Sequence, residues 1–457
     1  MTVALAAAAL LAFQPNARAQ YVWGPNVYAN PAVQPVTPQM YYAAPGAVTW
    51  VVPSPTMYTA HVGDVVSESE QAIAEEAADK GGKGGKGGFD AGGGKGKYQA
   101  FRRRKFAKRT FGSVEYMHWY NKGRNLPPLA STSPQGTLAS QAGVLQNYPD
   151  PTSTAGVLFG DEAIGRELQA AGRVTLGLWM NDRHDVAVGA RTFGVEGHES
   201  GYFRQSAGNP ILAVPFFNDD PLVNAEDSLR VAYPNFTLGS LNVDTNSEIF
   251  GTELFLRYLV DSGCNYRIDV IGGYQFTRIN DDLTINSSIN NSSALFDYSD
   301  QFRVSNEFHG GEIGLLGEWY LDHWTLSTLG KVSYGNMRQR VAISGQNSIT
   351  AGGTFTSPGG LFPQPTNIGV YERDVAAVLP EVNLKLAYAL SERLSMSVGY
   401  TLMYWNRVAL AGDHVDRNVN GTQLSSGNLI GPATPAFAWA DTDFWVQTID
   451  IGVSWNY

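Results

Sequence analysis

Apolar and polar side chains alternate in the last nine residues of the chain. Every second residue from Ile449 to Tyr457 is apolar or aromatic, and the residues between them are small or polar. Successive side chains of a strand point to opposite faces, so one face suits hydrocarbon and the other suits water. A soluble sandwich can contain such a strand, but an aromatic end is typical of the strand that closes an outer-membrane barrel. The predicted closing strand and assembly signal comprise Trp445, Ile449, Ile451, Val453, Trp455 and Tyr457.

Nine earlier segments show similar alternation, each close to the ~9–11 residues that a tilted strand needs to cross a bilayer. They are residues 113–121, 172–180, 185–194, 248–259, 266–279, 306–319, 323–335, 374–389 and 394–405. Five long loops and four short turns alternate between the ten strands. Antiparallel outer-membrane barrels have this asymmetry, with short periplasmic turns and long external loops. The pattern predicts an all-β, transmembrane, antiparallel up-and-down barrel over residues 112–457.

The number of strands has one alternative. Residues 228–233 and 236–243 either form a further hairpin, which gives twelve strands, or extend neighbouring strands beyond the membrane. An even number places both ends of the barrel on the side of the short turns. Both barrel termini are therefore expected in the periplasm, and the protein in the outer membrane.

Composition agrees with this fold class. The chain has 50 Gly, 12% aromatic and only 16% charged residues, which suits turns, alternating strands and aromatic girdles. The single cysteine, Cys264, excludes an intrachain disulfide and a zinc site built from cysteines. Residues 112–457 carry 20 Lys and Arg against 35 Asp and Glu, and this acidity argues against nucleic acid as a partner.

The first residues resemble an export signal. Ala4–Phe13 is an apolar run, and Ala17 and Ala19 are small residues at the two positions that a signal peptidase reads, although no basic residues precede the run. Residues 1–19 are therefore predicted to be a signal peptide. The run is too short to cross a membrane as a helix, and no later segment is long and apolar enough.

Residues 20–111 are predicted to be a largely disordered periplasmic tether. Residues 21–60 are rich in Pro and Tyr, and residues 81–88 contain only Gly and Lys. The Gly/Lys segment lacks the spacing and the Ser or Thr of a phosphate-binding loop. The basic run 97–109 is either a solvated linker or a contact for anionic lipid headgroups or cell-wall polymer.

Charged residues fall almost entirely on the face of each strand that is predicted to point inward. A ten-stranded barrel has a narrow lumen that side chains nearly fill, so any pore would be small. These residues form either a selectivity lining or a core of mutually neutralising salt bridges. The predicted lumen-lining residues are Arg173, Arg191, Glu253, Arg257, Arg267, Asp269, Glu312, Glu318, Lys331, Glu381, Lys385 and Asp450.

The barrel region resembles a known family. The resembling segments are SVEYMHW (113–119), AGRVTLGLW (171–179), NPILAVPFF (209–217), IFGTELFLR (249–257), CNYRIDVIGGYQF (264–276), NEFHGGEIGL (306–315), QPTNIGVYERD (364–374) and PAFAWADTDFWVQTIDIGVSWNY (435–457). Together they are similar to the bacterial outer-membrane proteins called putative beta-barrel porin-seven. The resemblance implies a barrel with an inferred porin role and supplies no catalytic residues. The tether is not part of it.

Three functions are compatible with these observations. The first is a porin or small channel for ions and small polar solutes. The second is a structural or binding barrel with a closed lumen that acts through its long external loops. The third is an outer-membrane hydrolase, which we do not expect. The expected partners are outer-membrane lipid and, through the closing strand, the barrel-assembly machinery; no cofactor is expected.

Few residues suggest other chemistry. Asp413 and Asp416 flank His414 in the last external loop, and such groups can activate water. No G-x-S-x-G or H-E-x-x-H motif is present, and three-residue spacing puts His309 and Glu312 on opposite faces of a strand. Loop carboxylates are either solvated or weak Ca²⁺ ligands, without EF-hand spacing. These carboxylates are Asp219, Asp220, Glu226, Asp227, Asp281 and Asp282.

Overall fold

The structure, a computed structural model, describes residues 109–146, 155–425 and 429–456. The predicted signal peptide with Ala17 and Ala19, all of the predicted tether except residues 109–111, and Tyr457 lie outside these ranges. The one α-helix in the described part, α1 (Gly421–Ser425), is short, and Ala139–Gln141 and Gly412–His414 are 3-10 turns. No helix among the described residues is long and apolar enough to span a membrane.

Strands make up most of the described chain. In order they are β1 (Thr110–Asn121), β2 (Arg124–Leu126), β3 (Ala130–Thr132), β4 (Gly156–Phe159), β5 (Glu162–Ile164), β6 (Gln169–Trp179), β7 (Val186–Ser206), β8 (Leu212–Asn218), β9 (Ala225–Ala232), β10 (Leu238–Ser262), β11 (Tyr266–Asn290), β12 (Leu295–Leu321), β13 (Trp324–Thr350), β14 (Thr354–Pro358), β15 (Gly369–Ser391), β16 (Leu394–Val408), β17 (Asn418–Val419) and β18 (Thr442–Asn456).

Ten of these strands form a closed antiparallel ring. Its order is β1, β6, β7, β10, β11, β12, β13, β15, β16 and β18, and β18 pairs with β1 to close it, with Val453 opposite Val114. β14 pairs only with β13. The predicted ten-stranded up-and-down barrel is confirmed. β1 begins and β18 ends at the same end as the four short turns, which we call the turn end; the opposite end is the loop end.

Two expectations about the connections are wrong. β11 and β12 are 25 and 27 residues long, so the predicted long loop between them is only residues 291–294. Residues 228–232 do not extend a barrel strand, because they belong to β9, which pairs with β8. Residues 238–243 do extend β10, as expected. The ring therefore has ten strands and not twelve.

The outer face of the barrel changes polarity along each long strand. Towards the turn end it is apolar: Leu254 on β10 is 62% exposed and Ile313 on β12 is also 62% exposed. Further along β12, beyond the row that contains Gly311 and Tyr334, the same face carries Glu307 and Arg303. Exposed apolar side chains suit lipid and exposed charges suit water. The apolar band therefore marks the membrane-spanning part, and the wall beyond it is an aqueous extension.

The interior changes polarity in the opposite sense. Inside the apolar band the inner residues are mainly charged, whereas inside the extension they are mainly apolar, as with Phe302 and Phe308 on β12, both fully buried. This reversal explains why the predicted strands are shorter than the observed ones. A search for apolar residues on the outer face ends where the lipid-facing part of the strand ends. Connections at the loop end form a second sheet, β17–β8–β3–β4 with β9 on β8. Its buried residues, including Leu212 and Val231, share one core with the extension.

Candidate functional site

An ion pair crosses the barrel interior from one side to the other. Arg191 lies on β7 and Glu381 on β15, five positions apart in the ring, yet Arg191 Nη2 is 2.7 Å from Glu381 Oε2. Arg191 also donates two hydrogen bonds to Glu253, of 2.9 and 2.7 Å. Lys331 Nζ lies 2.6 Å from Glu253 Oε1 and 2.8 Å from Glu312 Oε2. We call these five residues the central cluster.

A second group of charges lies beside it on neighbouring strands. Arg173 Nη2 is 2.5 Å from Glu115 Oε2 and 2.7 Å from Asp450 Oδ2, and Lys385 pairs with the other oxygen of Glu115. Thr401 donates a 2.6 Å hydrogen bond to Asp450. These contacts join β1, β6, β15, β16 and β18. We call the four charged residues the side cluster.

A third group lies closer to the turn end. Arg257 Nη2 is 2.6 Å from Asp269 Oδ2 and 2.7 Å from Glu318 Oε2, and Arg267 Nη2 is 2.6 Å from Asp269 Oδ1. Both guanidinium groups lie over the ring of Trp179, at 5.2 and 4.7 Å from its centroid. Arg267 and Glu318 are the more exposed members, as expected near an opening. This is the turn cluster.

All twelve predicted lumen residues belong to these three clusters. The clusters also contain Glu115, which the sequence analysis did not select. Its strand, β1, alternates imperfectly in polarity because the inner face changes from charged Glu115 to apolar Met117 and Trp119 within four residues. Val114 and Tyr116, the neighbours of Glu115 in the sequence, are exposed on the outer face. Their alternation with Glu115 is the signal that could have identified this residue.

Positive and negative charges nearly balance in the membrane-spanning interior. The three clusters contain six Lys or Arg and seven Asp or Glu. A buried charge is costly unless a partner of opposite sign and hydrogen bonds compensate it. Each of these side chains has such a partner within hydrogen-bond distance. The arrangement is a mutually neutralising core and not a lining of one sign.

An apolar layer covers the charged clusters on the side of the loop end. All ten strands of the ring contribute to it. Its largest fully buried members are Met117, Trp119, Phe308, Trp405 and Phe444. Apolar side chains that pack at this density exclude water. The lumen of the described barrel is therefore filled first by paired charges and then by hydrocarbon.

The connections at the loop end fill the mouth of the extension. Leu361 and Phe362 enter its core, and the carboxylate of Asp300 accepts a 3.0 Å hydrogen bond from the backbone amide of each. A Cβ at Gly360 would lie 1.6 Å from Asp300 Oδ1, so this close approach requires glycine. Burial raises the pKa of Asp300 to about 7. We call residues 359–367 the inner loop.

The loop carboxylates that were considered as solvated groups or weak calcium ligands make other contacts. Asp281 and Asp282 lie in β11 and not in a loop, and Asp281 is buried against Arg124, with Nη1 2.5 Å from Oδ1. Arg417 Nη2 is 2.9 Å from Glu226 Oε2, and Asp219 accepts a hydrogen bond from Thr434. Asp220 accepts from the amide of Leu222, and Asp227 from the side chain of Asn218. Within the described ranges, no group of three or more His, Cys, Asp or Glu is placed to hold a metal ion.

His414 is buried rather than solvated. Its Nδ1 lies 2.8 Å from the carbonyl oxygen of Leu410, and its ring stacks on Phe437. Burial lowers the pKa of His414, which favours the neutral form of its ring. Asp416 instead accepts hydrogen bonds from the backbone amides of Asn418 and Ala436. No carboxylate hydrogen-bonds to His414 in the part of the chain that the structure describes, so the His–carboxylate arrangement of the hydrolase alternative does not form there.

The closing strand occupies the place predicted for it. Ile449, Ile451 and Val453 on β18 are exposed on the outer face, whereas Asp450 faces inward. Trp445 contacts Tyr120 of β1, with ring centroids 5.9 Å apart. Trp455 packs over Gly112 of β1, where a Cβ would lie 2.5 Å from the indole. Tyr457 lies beyond the described residues.

The ring, the apolar outer band and the inward charges define an outer-membrane β-barrel. The family model described as Putative beta barrel porin-7 (BBP7) matches residues 111–457. The chain belongs to this family.

Similar solved structures are outer-membrane proteins of low sequence identity. The outer-membrane protease OmpT from Escherichia coli is 10% identical, with 77% of this chain and 97% of that chain covered and a TM-score of 0.35. A FadL homologue from Pseudomonas aeruginosa is 9% identical, with coverage of 76% and 90% and a TM-score of 0.24. A search of the curated proteins found no match.

Proposed function

We propose that this protein is a closed outer-membrane barrel that acts through the wall and loops that it presents outside the membrane. In this proposal the turn end faces the periplasm, and the extension of β7, β10, β11, β12, β13 and β15 stands above the outer surface. The predicted signal peptide directs export, and the closing strand is read by the barrel-assembly machinery. The chain has no catalytic role.

The observation that supports a closed barrel best is the contact between Arg191 and Glu381 across the ring. The two strands lie five positions apart in the ring. Because their side chains touch, no aqueous channel can run between them. The apolar layer directly above adds a second obstruction, because an ion that enters it loses its hydration. Both obstructions lie inside one narrow ten-stranded wall.

A small gated channel is the second candidate. Glu312 Oε1 and Glu381 Oε1 are buried and have no hydrogen-bond partner in the described part of the protein. Such oxygens are groups that a permeating cation would contact. The family description also names a porin. In this alternative, the central cluster would have to separate before ions pass.

The environment of His414 supports the absence of hydrolytic activity. A general base needs an accessible nitrogen and a substrate within reach. Here one ring nitrogen lies against the carbonyl of Leu410, and the ring is packed between Phe437 and Trp439.

Conductance across a planar bilayer tests the proposal. The full-length protein, shown to be folded by its heat-modifiable gel mobility, is expected to give no discrete conductance steps. The same conductance measurement is made on the variant Lys331→Gln, which alters the central cluster. Discrete steps in the unaltered protein, with an ion selectivity that changes in Lys331→Gln, would reject the closed barrel and support the channel.

A further inference from the structure

Four adjacent strands present a grid of polar side chains on the outer wall of the extension. Cross-strand pairing aligns two rows, each with one residue from β10, β11, β12 and β13. The first row is Ser240, Ser288, Asp297 and Ser348. The second row is Asn242, Asn286, Ser299 and Gln346. We call these eight residues the polar grid.

The grid lines a shallow cavity of about 310 Å³ in the outer wall. This concavity distinguishes the grid from an ordinary exposed strand face. Neighbouring strands are about 4.8 Å apart, so adjacent side chains in a row are spaced by about the width of one hexopyranose ring. A chain of such rings can therefore contact successive side chains along a row.

The hydrogen-bonding capacity of the grid is almost unused. Of its eight side chains, only Asn242 bonds to another described side chain, the carboxylate of Asp244. The other seven make no side-chain hydrogen bond or ion pair within the ranges that the structure describes. Amides and hydroxyls are both donors and acceptors, so they can match a ligand that is rich in hydroxyl groups.

Charge narrows the class of ligand. Asp297 is the one charged member of the grid, and Asp244 lies in the next row along β10. No Lys or Arg belongs to the eight residues, so an anionic polymer would meet repulsion without a compensating cation. None of the eight grid residues is apolar, and Phe203 of β7, 68% exposed, lies opposite Asn242 at the edge of the second row.

The height of the grid places it away from the lipid headgroups. Ser299 lies twelve residues along β12 from Gly311, which is in the last row of the apolar band. At about 3.3 Å per residue, this is about 40 Å along the strand. With a strand tilt of about 40°, the grid is about 30 Å above the band. A ligand there comes from outside the membrane.

From these observations we infer that the polar grid binds a neutral polysaccharide chain of the cell exterior. The inference rests on the proposed orientation, in which the extension faces outward, and it gives the closed barrel a specific ligand class. Asn286 and Gln346 donate and accept hydrogen bonds through their amides, and the serines contribute hydroxyls. The ligand runs along the wall of the barrel and does not enter the lumen.

Binding of defined oligosaccharides tests the inference. The full-length protein is purified in a detergent without a sugar headgroup, and titrated by calorimetry with maltoheptaose, cellohexaose and chitopentaose; polygalacturonate is the acidic comparison. Saturable binding of at least one neutral probe is expected, with weaker binding of polygalacturonate. The double variant Asn286→Ala/Gln346→Ala should weaken binding by about tenfold or more, because several hydrogen bonds are lost.

The matched control is Asn336→Ala, a change of the same kind on the outer face of β13, ten residues from Gln346. It should leave binding unchanged. The inference is overturned if no neutral probe binds saturably, if polygalacturonate binds more tightly, or if the double variant binds as well as the control. Conductance steps would reject the closed barrel without affecting this result, so the two failures are distinguishable.

Discussion

Single charged residues in the barrel interior depend on their partners. Arg191 contacts two carboxylates and Lys331 contacts three, so each cation is shared between strands. The attraction in such a network offsets the cost of removing the charges from water only when every charge keeps its partners. The same side chains therefore obstruct the lumen and tie together strands that do not pair with each other. One alteration in the cluster would affect both properties.

Asp300 is a buried carboxyl that responds to pH. Its pKa is raised from 3.8 to about 7 by burial, although the amides of Leu361 and Phe362 lower it. Between these two values the closed inner loop holds a proton that the open, solvated carboxyl has released. The stability of the closed loop is therefore greatest in acid and falls as the pH rises towards 7, above which it is constant.

We predict a corresponding change in hydrogen exchange. After correction for the intrinsic pH dependence, the opening free energy of the Leu361 and Phe362 amides should fall between pH 5 and pH 7, by at most about 1.4 kcal/mol per unit. The amide of Tyr233, which lies outside the inner loop and bonds to the carbonyl of Thr237, is the internal control. Asp300→Asn should abolish the pH dependence. A slope that persists in this variant would contradict the assignment to Asp300.

At the scale of the element, each long strand contains two consecutive patterns of opposite polarity. On β12, Ile313 and Leu315 face lipid while Glu312 faces the charged interior. Beyond Gly311, Phe308 and Phe302 face the interior and the outer residues are polar. The strand continues unbroken because hydrogen bonds to both neighbours are independent of which face is apolar.

This reversal predicts different costs for one substitution at two outer positions of β12. Ile313→Arg places a charge in the apolar band and should lower the free energy of unfolding by about 2–4 kcal/mol. Gln301→Arg lies in the aqueous extension and should change it little. Urea unfolding in lipid vesicles, followed by tryptophan fluorescence, measures both. Equal destabilisation by the two variants would show that the band does not end near Gly311.

At the scale of the whole molecule, orientation decides which surfaces can meet an external ligand. Cys264 is exposed in the turn between β10 and β11, at the turn end. Ser344 is exposed on the outer face of β13, in the extension. The two positions therefore lie on opposite sides of the apolar band.

Labelling with a membrane-impermeant maleimide should separate these positions. In intact cells, Ser344→Cys in a Cys264→Ser background is expected to react. The unaltered protein, with Cys264, should react only after the outer membrane is permeabilised. The reverse pattern would place the extension in the periplasm and reject the proposed orientation.

Much of the barrel could be predicted because its membrane-spanning pattern is local. Leu254, Leu256 and Tyr258 alternate with inward residues over a few positions, and lipid imposes that alternation on each strand separately. The extension could not be predicted in the same way. There the apolar residues lie on the inner face, as with Leu283 and Ile285 on β11, so a search for apolar residues on the outer face ends where the polarity reverses.

The amino-acid sequence by itself determined the all-β class, the ten strands and the inward position of the charges, since alternation is readable without knowing any partner. Only the tertiary structure decided which charges meet. Arg191 and Glu381 are 190 residues apart and touch because the ring closes. Closure likewise brought Glu115 to Lys385 and buried His414 beneath Phe437. These contacts depend on the diameter and pairing order of the barrel, which no single strand contains.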